Sequence, residues 1–172
     1  MNSKQVFSAL TVSLSALALA ACDGEADAPV EEIAAGDCPP GITVENGWLA
    51  MPAVAGNPAA AYFTITNGTD RTIYVRAANM VGSESATLHM TVEYDFEMQM
   101  QEVAGGVTVE PEATFEFEPG GTHVMVMGLS EEMEAGAESE LTLTFAGGDK
   151  CSFPVTLYPA GTDPRESEAE EG

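Results

Sequence analysis

The chain has 172 residues, of which 45% are hydrophobic, so it can form one domain with a packed core. Its 28 acidic and 5 basic residues give a formal charge of -23 at pH 7. This balance argues against nucleic-acid binding, because proteins of that class meet phosphates with cationic patches. An acidic surface attracts cations and keeps a protein soluble. Adaptation to a salt-rich habitat would explain the charge equally well.

The N-terminus has the pattern of an export signal. Lys4 supplies a positive charge, and residues 6–18 form an apolar run that is too short to span a membrane. The run leads into residues 19–22 (LAAC), which resemble the bacterial lipoprotein signal, where cleavage leaves an acylated cysteine as the new first residue. We therefore expect residues 1–21 to be removed and Cys22 to carry lipid. The alternative is an ordinary secretory signal with a chance cysteine.

Two acidic segments flank the central part of the chain. Residues 22–37 are small and acidic without sustained periodicity, which is typical of a solvated tether. Residues 159–172 are similar and are predicted to be a disordered, solubilising tail. The folded domain is therefore expected to span residues 38–158.

The remaining thiols are predicted to form a disulfide. If Cys22 carries lipid, Cys38 and Cys151 are left as an even pair in an exported protein. Their bridge would close a loop of 151 - 38 = 113 residues and join the first strand to the last. The alternative, that these cysteines bind metal, is weaker because neither lies near the histidines in sequence.

The central part of the chain is predicted to be β-structure throughout. Short runs with alternating polarity are separated by the turn sequences Asn67-Gly68, Gly105-Gly106, Pro119-Gly120-Gly121 and Gly147-Gly148. Strands of this length and spacing predict an all-β sandwich or Greek-key barrel. The segment 131–137 is too short and glycine-broken to be more than a turn. The nine candidate strands are 42–48, 59–66, 72–79, 86–92, 97–103, 112–118, 122–129, 139–145 and 151–157.

The two histidines of the chain lie in methionine-rich sequence. His123, Met125 and Met127 share one face of a predicted strand, because side chains repeat every second residue. Imidazole and thioether together suit Cu(I), whose preference is for soft donors. If residues 85–103 form a hairpin that turns at Tyr94-Asp95, His89 faces Met100. Two histidines and two methionines would then surround one ion.

A different register leads to a different interpretation. A slip of one residue moves Met98 and Met100 to the face of Leu88 and Met90, where they would form an ordinary core. His89 would then point to water. Methionines fill cores routinely, so the pattern alone does not choose between copper and core.

A wider resemblance favours copper. From Ala61 to Leu129 the chain resembles the periplasmic copper chaperones of the PCu(A)C type, whose motif is a histidine, ten residues, a methionine, about twenty-one residues and His-x-Met. Here His89 is followed after ten residues by Met100, and after twenty-two more by His123-Val124-Met125. Residues 61–67 (AYFTITN), 119–121 (PGG) and 127–129 (MGL) also match.

The resemblance implies a cupredoxin-like β-barrel that carries Cu(I) on His89, Met100, His123 and Met125. Met98 is a candidate substitute ligand. Met127 is a further candidate, although we expect it to lie in the core, as we do Met90. The chain departs from the family in two ways. One gap is a residue longer, and the basic residue that usually follows the early tryptophan is absent after Trp48.

The expected function is that of a carrier and not of an enzyme. We expect a monomeric, extracytoplasmic (periplasmic) protein that the lipid on Cys22 anchors to the membrane. The resemblance implies that it delivers copper to an acceptor, either an oxidase assembly factor or a subunit of the respiratory cytochrome oxidase. Copper scavenging or tolerance, and a structural lipoprotein without metal, remain alternatives. A blue-copper protein needs a cysteine thiolate beside two histidines, and neither domain cysteine is placed for that. A hydrolase is unsupported, because no nucleophile–base pair is evident.

Overall fold

The computed structural model describes residues 36–165. The expected signal peptide, Cys22, most of the tether and the end of the tail lie outside these residues. Within them no helix has the length and apolar character to cross a membrane. The ten strands are β1 (Ile42–Ala50), β2 (Ala59–Asn67), β3 (Ile73–Met80), β4 (Ser85–Tyr94), β5 (Glu97–Glu102), β6 (Val107–Val109), β7 (Ala113–Phe117), β8 (Thr122–Met127), β9 (Glu138–Phe145) and β10 (Lys150–Tyr158).

The strands form one sheet that closes on itself. Their order is β5-β4-β8-β2-β1-β10-β9-β3-β6, and β7 pairs with β2 beside this path. The circle closes because β3 also pairs with β4, at Ala78 and Ala86. Most pairings are antiparallel, whereas β1 and β10 run parallel. The prediction of an all-β, single-domain barrel is therefore confirmed, with β5 appended as an outer edge strand.

Alternating side chains fill the inside of the barrel. In β2, β9 and β10 every second residue is buried, as expected for strands with one face toward a core. The rings of Phe63 and Phe117 stack with centroids 4.2 Å apart, and Phe153 packs 4.9 Å from Phe63. Burial of these apolar side chains is the main stabilising term of the fold.

Each end of the domain contacts the strand at the opposite end of the chain: the N-terminal end contacts β10, and the C-terminal end contacts β1. Cys38 and Cys151 form the predicted disulfide, which spans 113 residues. Asp37 also forms an isolated antiparallel bridge with Ser152. At the other end, the Arg165 guanidinium lies 5.9 Å from the centroid of the Trp48 ring. The ordered structure therefore extends beyond the strand-bearing part of the chain on both sides.

Candidate metal centre

Two neighbouring strands bring the histidines together on the outer face of the barrel. β4 and β8 pair antiparallel, and His89 lies directly opposite His123. Their ring centroids are 6.1 Å apart, and the ring planes are inclined by 25°. Their chain neighbours Leu88 and Val124 also pair, and both are buried in the core. Because side chains alternate between the two faces, the histidines face outward.

The backbone beside each histidine orients its ring. His123 Nδ1 lies 3.2 Å from the Gly121 carbonyl oxygen, in the turn that precedes β8. His89 Nδ1 lies 3.3 Å from Thr87 Oγ1 and 3.4 Å from the Thr87 carbonyl oxygen. A carbonyl oxygen only accepts hydrogen bonds, so it favours the tautomer with a proton on Nδ1. The lone pair of Nε2 then remains free on both rings, as a metal ligand requires.

The surroundings of His123 favour its neutral form. Only 5% of this residue is exposed, although its side chain faces outward. Burial lowers the pKa of His123, and the nearby His89 lowers it further, against an opposing effect of the hydrogen bond to Gly121. A neutral imidazole is the form that binds metal, so the ring is ready to do so at neutral pH.

Two methionines share a cavity with His123. Met125 lies opposite Thr87 in β4 and Ala60 in β2, while Met100 comes from β5. Both line a cavity of about 300 Å³ that also includes His123. The rest of its wall is largely apolar and is formed by Pro52, Ala53, Asn57, Pro58, Ala59 and Ala60. Three of the four predicted ligands therefore border one apolar space. The fourth, His89, lies beside His123.

The register of the β4–β5 hairpin differs from the prediction. Met100 lies opposite Thr91, and Glu102 lies opposite His89. The turn is at Asp95-Phe96, one residue later than expected, because both residues adopt positive φ angles of 52° and 64°. The direct pairing of His89 with Met100 was therefore wrong, and the two are diagonal neighbours. A shift of two residues keeps each side chain on its face, so Met100 still shares the face of His89.

The other methionines are less enclosed. Met98 lies opposite Glu93 on the same outer face and is 64% exposed. Met127 follows Met125 on that face and is 38% exposed, and Met90, on the other face of β4, is 39% exposed. The expectation that Met127 and Met90 lie in the core was therefore wrong. Met127 is excluded from the core because it shares the outer face of His123 and Met125, whose alternate neighbours Val124 and Val126 are the fully buried residues of β8.

An aromatic row that the sequence analysis did not assign to the site supports His123 from the side. The ring of Tyr62 in β2 lies 6.2 Å from that of His123, and Trp48 in β1 lies 4.5 Å from Tyr62. Burial raises the pKa of Tyr62, with a further contribution from Asp163. In the structure the alternation of β2 puts Tyr62 on the outer face, and the strand order places it beside His123.

The enclosed donors at this face are therefore the imidazoles of His89 and His123 and the thioethers of Met100 and Met125, with Met98 and Met127 more exposed on the same face. Within residues 36–165 no three His, Cys, Asp or Glu side chains are grouped so that they could hold a metal ion. Cys38 and Cys151 are joined in the disulfide, so neither offers a thiolate.

This barrel is the fold of PCuAC domains. A structure described as "Copper-bound PCuAC domain from PmoF2" matches with a TM-score of 0.56 at 20% identity, over 69% of this chain and 93% of that one. The solution structure of CuI-DR1885 from Deinococcus radiodurans matches with a TM-score of 0.55 at 26% identity, over 76% and 87%. The resemblance to the PCu(A)C type and the cupredoxin-like fold are thereby confirmed.

The chain belongs to the LpqE-like lipoprotein family. Residues 42–157 match the family described as "Putative lipoprotein LpqE-like". The "Putative lipoprotein Lxx21020" of Leifsonia xyli subsp. xyli (strain CTCB07) is 31% identical over 117 residues, which is 68% of this chain and 69% of the relative.

Proposed function

We propose that this protein carries Cu(I) outside the cytoplasm, bound by His89, Met100, His123 and Met125. The observation that carries the proposal is the direct pairing of His89 with His123, with two methionines on the same outer face. The solved structure of CuI-DR1885, whose name states its Cu(I), supports the choice of this ion. Four neutral donors with two soft sulfur atoms suit a monovalent, soft ion.

The four donors differ in exposure, and this difference suits a carrier. His123 is buried, whereas Met100 is 61% exposed on the edge strand β5. An incoming thiolate can replace Met100 first, while His123 still holds the ion. Copper can then leave by stepwise ligand exchange without being released into water.

The resemblance and the family support a proposal for the acceptor and the location. We infer that the acceptor is a copper centre of respiratory cytochrome oxidase, or an assembly factor that supplies it. Cleavage after residue 21 and acylation of Cys22 would hold the carrier at the membrane surface, in keeping with its lipoprotein relatives. Residues 22–37 would then tether the barrel, which acts as a monomer, in the periplasm.

Competition titration with a coloured Cu(I) chelator under anaerobic conditions tests this proposal. We expect one Cu(I) per wild-type chain, and a loss of affinity of at least about tenfold for His123→Ala and for Met100→Ala. Met90→Ala is the matched control, because Met90 is half-exposed on the opposite face of β4. Unchanged affinity in both ligand variants would contradict a carrier and leave a structural lipoprotein.

A further inference from the structure

The tip of the β4–β5 hairpin carries an unusual concentration of exposed apolar side chains. Nine large apolar residues are exposed within residues 36–165, and five of them lie between Met90 and Met100. All six residues of β5 are exposed, and Tyr94 is 67% exposed at the end of β4. The outer half of the hairpin therefore extends past the barrel with nothing from the described part of the chain covering it.

Phe96 lies in the turn with a positive φ angle, which is unfavourable for a large side chain. Tyr94 pairs with Glu97, so Asp95 and Phe96 form a two-residue turn with positive φ at both positions. Such turns favour Asn-Gly or Asp-Gly, because a large side chain is strained in this region. The Phe96 side chain is nevertheless 93% exposed and contributes little to the core. An observed strain of this kind at an exposed position points to a role in binding.

The charge around these side chains restricts the kind of partner that can bind the hairpin tip. Residues 85–106 include Glu93, Asp95, Glu97 and Glu102, and no lysine or arginine. This negative charge opposes pairing with a second copy of the hairpin. It also opposes contact with an anionic membrane surface. It complements a protein surface with exposed lysine and arginine. Because Tyr94 and Met98 lie on opposite faces of the hairpin, a cleft fits the tip better than a flat surface.

The tip is also close to the exposed copper ligand. Met100 follows Phe96 by four residues along an extended strand, a distance of roughly 14 Å. A partner that buries a standard interface of about 800 Å² on its own side extends about this far from the centre of contact. A protein seated on the tip would therefore also reach Met100 and the face of His89.

We propose that the hairpin tip formed by Tyr94, Phe96 and Met98 is the docking surface for the copper-accepting protein. That partner presents an apolar cleft rimmed by lysine and arginine side chains. Docking places its thiolates beside Met100, where ligand exchange begins. This inference rests on the proposed function, because it assigns the surface through which the carried ion is transferred.

Copper transfer measured with two kinds of acceptor tests the proposal. The full chain is loaded with Cu(I), and its transfer is followed to the purified, copper-free copper domain of oxidase subunit II from the same bacterium and, separately, to a small Cu(I) chelator. We expect Phe96→Gly to slow transfer to the protein acceptor at least about tenfold and to leave transfer to the chelator unchanged. Glycine suits the positive φ of Phe96, so the hairpin is retained.

The matched control is Val81→Thr. Val81 is 55% exposed beyond the other end of β4, and its replacement should change neither rate. Added salt should slow transfer to the protein acceptor, because complementary charges steer the encounter. Equal rates for wild type and Phe96→Gly would overturn the docking surface and leave the copper carrier intact.

Three other results would also overturn the proposal. These are Phe96-dependent self-association in sedimentation, Phe96-dependent binding to phosphatidylglycerol vesicles, and no transfer to the protein acceptor from wild type that has bound Cu(I). If the wild-type chain fails to bind Cu(I) at the loading step, the proposed function itself is wrong, and this failure is seen before any transfer is measured.

Discussion

His89 and His123 lie opposite each other on β4 and β8, with ring centroids 6.1 Å apart and Nδ1 of each near a backbone carbonyl oxygen. The two positions are 34 residues apart in sequence (123 - 89) and become neighbours only through the barrel. The pair supplies two nitrogen donors with Nε2 free. The methionines on the same face can supply sulfur.

Met98 and Met100 should differ in their effect on copper binding. Met100 lines the cavity beside His123, whereas Met98 lies two residues nearer the hairpin tip, opposite Glu93. We expect Met100→Ala to weaken Cu(I) binding at least about tenfold and Met98→Ala to weaken it less than about threefold. Anaerobic competition titration measures both. A larger loss for Met98→Ala would identify Met98 as the ligand in place of Met100.

Copper-free protein should lose stability in mild acid through His123. The pKa of His123 is lowered in the folded state, so below about pH 6.5 the unfolded chain binds the proton more readily. The free energy of unfolding therefore falls as the pH drops from about 6.5 to the lowered pKa, and levels off below it. Urea unfolding across this range measures the effect.

The control for this titration is the variant His123→Gln, whose side chain cannot gain a proton in this pH range. Its stability should depend less on pH over the same interval, and the difference between the two proteins isolates this residue from the carboxylates. Parallel pH profiles of wild type and variant would contradict the assignment.

Removal of the disulfide should destabilise the barrel. Cys38–Cys151 closes a long loop, and Cys151 is fully buried in the core. We expect the double variant Cys38→Ala, Cys151→Ala to lose about 2–4 kcal/mol of unfolding free energy. Urea unfolding with and without reductant checks this, because reductant should lower the stability of the wild type only. A wild type unaffected by full reduction would contradict it.

Trp48 should report on occupation of the site. It is the only tryptophan of the chain, and Tyr62 lies between it and His123, at ring distances of 4.5 and 6.2 Å. We expect its fluorescence to change in proportion to bound copper until one ion is bound. His123→Ala should remove this change, while Met90→Ala should retain it. A signal that persists in His123→Ala would place the ion elsewhere.

The local pattern predicted most strands but not all of their pairings. Alternation identified the all-β fold and the shared face of His123, Met125 and Met127, because each follows from neighbouring residues, but it did not tell whether the methionines face the core. β6 was not predicted, since Val107–Val109 is a three-residue strand after two glycines. The hairpin register was off by two residues, because nothing in the sequence marks Phe96 as a residue with positive φ.

Contacts between distant strands were beyond sequence reasoning. The pairing of β4 with β8 and the position of Tyr62 beside His123 depend on the order of strands around the barrel. The structural role of Asn67 could not be predicted for the same reason. It was expected only as a turn residue, yet it is fully buried and its amide donates to the carbonyl oxygens of Arg71, Val109 and Glu110.

X-ray absorption of the Cu(I)-loaded full chain, prepared without oxygen, tests the central claim most directly. The proposal predicts two nitrogen and two sulfur neighbours around copper, and the loss of one sulfur neighbour in Met125→Ala. A copper ion surrounded only by nitrogen and oxygen would contradict the assignment of His89, Met100, His123 and Met125 as its ligands.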